Sequence, residues 1–246
     1  MPFLSVVIPA YNEALRIAAS LESISVYSEQ QRYSYELIVV DDGSTDQTAQ
    51  VVKDIFKRIE YGTLLQNKTN RGKGYSVRRG VLASNGEYVL FSDADLSTPI
   101  QEIEKLLQCL QEGYDIAIGS RGLKNSDVQL HQPWYREYMG KTFNLIIRLL
   151  MLTAFHDTQC GFKCFRGDVA RELFARQMLD HYSFDVEILF LAARQNYTMQ
   201  EVPVQWFNEP NTRVNALKDS ARMLKDVIKI RYNAWTGTYT GQNTKR

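Results

Sequence analysis

Cysteine is scarce in this chain: Cys109, Cys160 and Cys164 are the only three in 246 residues. An odd, low count in a chain this long is not a disulfide framework and suits a reducing compartment. His156, Cys160 and Cys164 match no common zinc spacing and lack a fourth ligand, which argues against a zinc site. Long apolar runs are also missing. The most apolar stretch, residues 143–155, contains Arg148 and falls short of the about 20 apolar residues of a spanning helix. Asn12 and Glu13 end the first apolar run too early for a signal peptide, and no basic segment precedes it. Neither a Walker A loop nor a GxGxxG turn occurs, which removes most support for P-loop hydrolysis and dinucleotide-dependent hydride transfer.

An excess of one charge is absent as well. Twenty-nine basic and 28 acidic residues leave a formal net charge of +1, which argues against a protein that coats nucleic acid. The halves differ, however: residues 1–120 carry a net of −5 and residues 121–246 a net of +6. Hydrophobic residues at 44% and charged residues at 23% describe an ordinary folded protein and not a disordered one.

What the sequence does have is alternation. β-Branched or apolar runs at 5–8, 36–40, 63–65, 88–91 and 115–118 read as strands, and helical periodicity fills 13–27, 45–59, 72–83 and 99–110 between them. Leu15 counts among the apolar positions of the first helix, and Thr45 or Asp46 can cap the second. This order predicts an α/β fold with a mostly parallel sheet and helices on both faces, binding ligand beyond the carboxyl ends of its strands. The second half is less regular. Helices are expected at 134–152, 184–194 and 214–232, strands at 161–165 and 200–206, and a loose end from Thr236.

The polar clusters fall where strands end. Asp93-Ala94-Asp95 can converge on a hard divalent cation or act as a helix N-cap pair ahead of Pro99. Asp41-Asp42-Gly43-Ser44 can accept hydrogen bonds from a base or ribose, or form a turn and cap. Pro9-Ala10-Tyr11-Asn12-Glu13 has the same two readings. Asn70-Arg71-Gly72-Lys73-Gly74 places glycine N–H groups and the Lys73 ammonium where a phosphate could sit.

These motifs, in this order, resemble the inverting glycosyltransferases of family two. Gly119-Ser120-Arg121, the run Asp157 to Lys163, Phe184-Asp185-Val186-Glu187 and Glu201-Val202-Pro203-Val204 are similar to its polyprenyl/dolichyl-phosphate branch, nearest to the glucosyl members with the mannosyl members next. The resemblance spans about residues 3–232. It implies a GT-A, Rossmann-like fold in one domain, with 1–120 holding the nucleotide sugar and 121–232 facing acceptor and membrane, followed by a flexible tail at 233–246. It also implies transfer of a sugar from UDP-glucose or GDP-mannose to a polyprenyl phosphate, with Mg2+ or Mn2+ as cofactor. Pro9, Tyr11, Glu13, Asp41 and Asp42 would line the base and ribose, with Lys73 beside them. Asp93 and Asp95 would face metal and diphosphate. Arg121 would hold the acceptor phosphate with help from Arg213, and Gln159 and Lys163 would contact substrate. Asp185 or Glu187 would position sugar hydroxyls, unless both are helix-surface carboxylates.

The chain departs from the family pattern at two places. Ser97 stands where many mannosyl members have glutamine, and Asn211-Thr212-Arg213 replaces the Gly-Ser-Lys of the glucosyl members. Residues 213–232 carry a net of +4, with Leu217, Ala221, Leu224 and Ile228 at helical spacing. This describes a surface helix packed on the core or one lying in a membrane interface. The expected location is peripheral, on the cytoplasmic face of a membrane. A soluble glycan or protein acceptor, or a sugar-nucleotide-binding module without catalysis, are the alternatives; nucleic acid is not an expected partner.

Overall fold

The computed structural model describes residues 1–129, 155–207 and 216–239. The helix expected at 134–152 and the Asn211–Arg213 loop, with Arg213, lie outside the described residues.

The first half alternates as the apolar periodicity dictates. β1 (Leu4–Ala10), β2 (Tyr35–Asp41), β3 (Gly62–Gln66), β4 (Tyr88–Ser92) and β5 (Ile116–Ser120) are separated by α1 (Ile17–Glu29), α2 (Thr48–Phe56), α3 (Lys73–Ala83) and α4 (Ile103–Gln111). A short 3-10 turn, Ile100–Glu102, follows Pro99 and leads into α4. Asp46 accepts a hydrogen bond from the Thr48 N–H at 2.9 Å and so caps α2 from just outside it. After β6 (Asp127–Gln129) come β7 (Phe162–Arg166), α5 (Gly167–Ala175), α6 (Phe184–Arg194), β8 (Met199–Pro203), β9 (Gln205–Phe207) and α7 (Ala216–Trp235).

The main sheet has the order β3-β2-β1-β4-β7-β5-β8. Neighbours run parallel except β7, which is antiparallel to both β4 and β5. Alternation along β1 sends Leu4, Val6 and Ile8 to one face, where α1, α2 and α4 cover them, and Val7 to the other, beneath α3, α5 and α6. Because both faces are covered, the strands read as continuous apolar runs. Pro9 is tolerated because the Ala10 carbonyl bonds the Asp42 N–H on the β2 side, which turns Pro9 toward β4, and the β4 ladder ends at Val7.

Three expectations need correction. Residues 13–16 form a turn and not the start of a helix, and Leu15 is fully exposed. Asn12 has a positive φ of 53°, its side-chain oxygen accepts the Thr45 and Asp46 N–H groups, and the chain is thereby tied across to the β2–α2 loop before α1 begins. Residues 200–206 are not one strand. Pro203, which has no N–H to donate, closes β8 at the sheet edge, and β9 pairs with β6 in a separate two-stranded sheet. Nor is the chain loose from residue 233: α7 reaches Trp235, and Tyr239 is buried with its hydroxyl donating to Glu187 Oε1 at 2.7 Å.

That last contact is measurable. Tyr239→Phe leaves a buried carboxylate oxygen without its donor and should lower unfolding stability by about 1–3 kcal/mol, read from denaturant midpoints; a loose tail would give no change.

Candidate functional site

Parallel strands end at one edge, so Ala10, Asp41, Ser92 and Ser120, the last residues of β1, β2, β4 and β5, lie along it. The antiparallel β7 brings its entrance to that same edge, since Ser92 pairs with Phe162. The segment before β7 therefore meets the segment after β4, and the Asp93 N–H bonds the Gly161 carbonyl at 3.2 Å. Residues nearly 70 apart in sequence become one site through a strand direction.

Asp93 and Asp95 follow β4. Asp93 Oδ1 lies 2.5 Å from Lys73 Nζ, at the start of α3. Asp95 Oδ1 accepts from the Ser97 N–H and the Ser97 hydroxyl, both at 3.0 Å, and Asp95 Oδ2 lies 3.7 Å from Arg16 Nη1. Arg16 also pairs with Glu13 through two nitrogens. Burial and the neighbouring Asp93 charge push the Asp95 carboxyl above its ordinary range, while Ser97 and Arg16 pull the other way. Burial works against the Lys73 ammonium, but Asp93 and Asp185 outweigh it and hold its pKa above the usual value. Gly161 sits so close to Asp93 that a Cβ there would run into the carboxylate.

Asp41 and Asp42 are both buried. Asp42 accepts from Asn67 Nδ2 at 2.7 Å and from the N–H groups of Arg71 and Gly72 at 2.9 and 2.8 Å. Asp41 accepts from the Ser44 N–H at 3.1 Å. Both carboxylates thus build loops. Asp42 shapes the turn in which Gly72, at φ 109°, delivers Lys73 to the site, a backbone angle that glycine adopts at little cost. These bonds hold both carboxylates at the carboxyl end of β2 and in the turn that follows, where the base and ribose contacts expected from the sequence would have to be made.

Arg121 follows β5. Its Nε and Nη2 hold Asp157 Oδ2 and Oδ1 at 2.6 and 2.9 Å, a bidentate pair. Nη1 takes no part, the side chain keeps 30% exposure, and the guanidinium lies 5.3 Å from the Trp206 ring. Burial alone would raise the Asp157 pKa, but Arg121 prevails and holds it down to about 2. Asp157 Oδ1 also accepts the N–H groups of Gln159 and Cys160. Glu201 on β8 accepts the His156 and Asp157 N–H groups, which fixes this loop from below.

Lys163 is fully buried on β7. Its Nζ donates to Asp185 Oδ1 at 2.5 Å and to the Cys160 carbonyl at 2.6 Å. A direct substrate contact is thereby corrected: Lys163 is the counter-ion that orients Asp185. Asp185 and Glu187 are not helix-surface carboxylates, because both are buried in the first turn of α6. Burial pushes the Asp185 carboxyl up against the opposing charges of Lys163 and Lys73. Glu187 leaves the site altogether: Oε2 accepts the Met178 and Leu179 N–H groups at 3.0 and 2.9 Å, and Oε1 takes the Tyr239 hydroxyl. Gln159 turns its amide toward Met223 Sδ on α7, at 3.6 Å.

Residues 5–174 match glycosyl transferase family 2. The chain belongs to this family. It is 35% identical to a dolichyl-phosphate beta-glucosyltransferase of Dictyostelium discoideum over 96% of this chain and 76% of the relative. Its identity to the enzyme of that name from Saccharomyces cerevisiae is 34%, over 96% of this chain and 76% of the relative. For the Homo sapiens enzyme it is 32%, over 99% of this chain and 79% of the relative. The fold is that of glucosyl-3-phosphoglycerate synthase from Mycobacterium tuberculosis, solved with Mn2+ and UDP-glucose (TM-score 0.68, 17% identity, 94% of this chain and 79% of the other). Mannosyl-3-phosphoglycerate synthase from Rubrobacter xylanophilus is similar at TM-score 0.69 and 19% identity, over 100% of this chain and 77% of the other.

Within this family 2 chain the sequence pointed to Asp93, Asp95, Lys73, Arg121 and Asp185, and the fold gathers all five at the carboxyl edge. Pro9 and Tyr11 lead into the same edge from β1. Sequence reasoning missed Asp157 as the anchor of Arg121, Arg16 as the cation beside Asp95, and Trp206 under the guanidinium. Asp157 had a signal, since it opens the Asp157–Lys163 motif; Arg16 and Trp206 had none.

The Arg121–Asp157 pair sets a pH response. A carboxyl depressed to about 2 in the fold and near 4 when unfolded contributes stability above pH 4 that is lost as pH falls toward 2. Asp157→Asn should therefore lower the urea midpoint at pH 7 and flatten its fall between about pH 4 and pH 2. An unchanged acid limb would show that Arg121 is not held this way.

Proposed function

We propose that the chain is an inverting transferase that moves glucose from UDP-glucose to a polyprenyl phosphate of the dolichyl type. The observation that carries this reading is the placement, at one sheet edge, of the Asp93/Asp95 carboxylates and of a guanidinium that Asp157 grips through Nε and Nη2. The glucosyl specificity named for the relatives and the UDP-glucose in a structural neighbour support the donor.

Two hard oxygen donors one residue apart, with Asp95 destabilised as an anion by Asp93, fit Mg2+ or Mn2+, and the Ser97 hydroxyl is a further oxygen beside them. A divalent ion held there would neutralise the departing diphosphate. The chain's own residues supply the rest. Lys73 and Arg16 stand beside the same carboxylates and add positive charge where the leaving group develops its own. Arg121 receives the acceptor phosphate through Nη1, which makes no hydrogen bond to Asp157, and places it against the anomeric carbon. That phosphate is already an anion, so no strong general base is needed. Asp185, aligned by Lys163, accepts hydrogen bonds from the sugar hydroxyls, and attack from the face opposite the diphosphate inverts the anomeric centre. Bringing two anions together is the main barrier, and every cation named here lowers it. We assign residues 1–120 to the donor and the later segments to the acceptor, at the surface of a membrane. Among the described residues no helix is long and apolar enough to cross one.

The test is transfer of labelled sugar to a short polyprenyl phosphate with Mg2+ or Mn2+. UDP-glucose should give a lipid-linked product and GDP-mannose should not; transfer only to a soluble glycan or protein would replace this reading. Asp93→Asn should reduce kcat by about a hundredfold or more. Gly161→Ala, which crowds Asp93 without altering charge, should weaken Mn2+ binding by about tenfold, read by electron paramagnetic resonance. Full affinity in Gly161→Ala would detach Asp93 from the metal.

A further inference from the structure

Residues 177–183 join α5 to α6 and hold no helix or strand of their own. Their shape is imposed from two sides. On one side stands Glu187, buried in the first turn of α6, whose Oε2 accepts the Met178 and Leu179 N–H groups at 3.0 and 2.9 Å. On the other stands the start of α3. The Tyr75 N–H bonds the Asp180 carbonyl at 3.0 Å. Gln177, also buried, donates from Nε2 to the Gly74 carbonyl at 2.9 Å and to the Leu179 carbonyl at 2.7 Å. The approach is so close that a Cβ on Gly72 would strike the Asp180 carbonyl, and one on Gly74 the carbonyls of Leu179 and His181. Lys73 is the residue between those two glycines. Its backbone is therefore gripped before and after by a loop that takes its shape from Glu187.

The grip bears on the site because a lysine is a point charge on a flexible four-carbon stem, and its aim depends on where its Cα is held. Lys73 Nζ reaches Asp93 Oδ1 at 2.5 Å, and Asp93 is fixed independently, by its own N–H on the Gly161 carbonyl. A shift of the 177–183 loop would thus move the ammonium and leave the carboxylate behind. Glu187 is itself held from the far side. Its Oε1 takes the Tyr239 hydroxyl at 2.7 Å, and Asn233 on α7 turns its amide toward Met178 Sδ at 3.7 Å.

We infer that Glu187 is a positioning residue for Lys73: it holds the 177–181 loop against Gly72 and Gly74, and so aims the ammonium at Asp93 and at the departing diphosphate. The catalytic consequence rests on the function proposed above; the placement of Lys73 does not.

The experiment measures both in the full chain. The first readout is trace acetylation of lysine amines, followed by mass spectrometry, with the exposed Lys57 as reference. Glu187→Met keeps the length of the side chain and removes both acceptors; it should speed labelling of Lys73 several-fold and leave Lys57 unchanged. Gln177→Met, which frees the loop from the α3 side, should do the same. Glu187→Gln should restore the parent rate, since its carbonyl can accept the two N–H groups and its amide can donate to the Tyr239 oxygen. The second readout is transfer. Glu187→Met should lower kcat about tenfold or more without changing the KM for a short polyprenyl phosphate. In a Lys73→Met background the same substitution should cost nothing further, because residues that act as one unit are not additive. If Glu187→Met does not fold, Gln177→Met decides in both readouts. Parent-rate labelling of Lys73 in the folded variants overturns the inference, as do equal rises at Lys73 and Lys57 or additive losses in kcat. A rise confined to Lys73 in a protein that transfers no sugar defeats the proposed function and leaves the positioning of Lys73 in place.

Discussion

Negative charge in a confined place is the constraint around which this molecule is arranged. Asp42, Asp93, Asp95, Asp157 and Asp185 crowd the carboxyl edge of one sheet, where each would destabilise the fold if left alone. The chain gives each its own partner: backbone N–H groups for Asp42, Lys73 for Asp93, Arg16 for Asp95, Arg121 for Asp157 and Lys163 for Asp185. These partners are of two kinds. Lys163 is sealed in the core, and its carboxylate is fixed with it. Lys73, Arg16 and Arg121 retain partial exposure, as the anion-binding role proposed for them requires.

The split between an acidic first half and a basic second half takes its meaning from this edge. Four of the carboxylates of the first half, Asp41, Asp42, Asp93 and Asp95, sit at the ends of β2 and β4. The basic excess of the second half is partly the buried cation on β7 and partly the exposed cations along α7. A net charge near zero describes neither surface.

Much of this was legible in the residues. β-Branched runs closed by Pro9, Asp41 and Ser92 predict parallel strands, and the acidic clusters behind them lie where such sheets bind ligand. The direction of β7 was not legible, because an apolar run of five residues carries no orientation. Without it, the Asp157–Gly161 segment cannot be placed beside Asp93, nor Asp157 beside Arg121. Helical periodicity also misplaced Leu15, since the side-chain bonds of Asn12 outweigh local helix propensity there. Asp185 and Glu187 look alike in sequence, two residues apart on one helix, yet one faces Lys163 and the other a loop and Tyr239. Only the packing around the first turn of α6 separates them. Of the two readings of the α7 pattern, packing on the core is met by Met223, Val227 and Ile230, which turn inward.

The antiparallel β7 has a mechanical consequence. Many nucleotide-binding enzymes place donor and acceptor on separate lobes that swing shut about a hinge. Here a strand from the second half is hydrogen-bonded on both sides, between β4 and β5 of the first half, so the two halves are sewn into one sheet and cannot rotate apart without breaking its ladder. Motion that serves the proposed reaction is thereby left to the loops above the sheet edge and not to a hinge between halves.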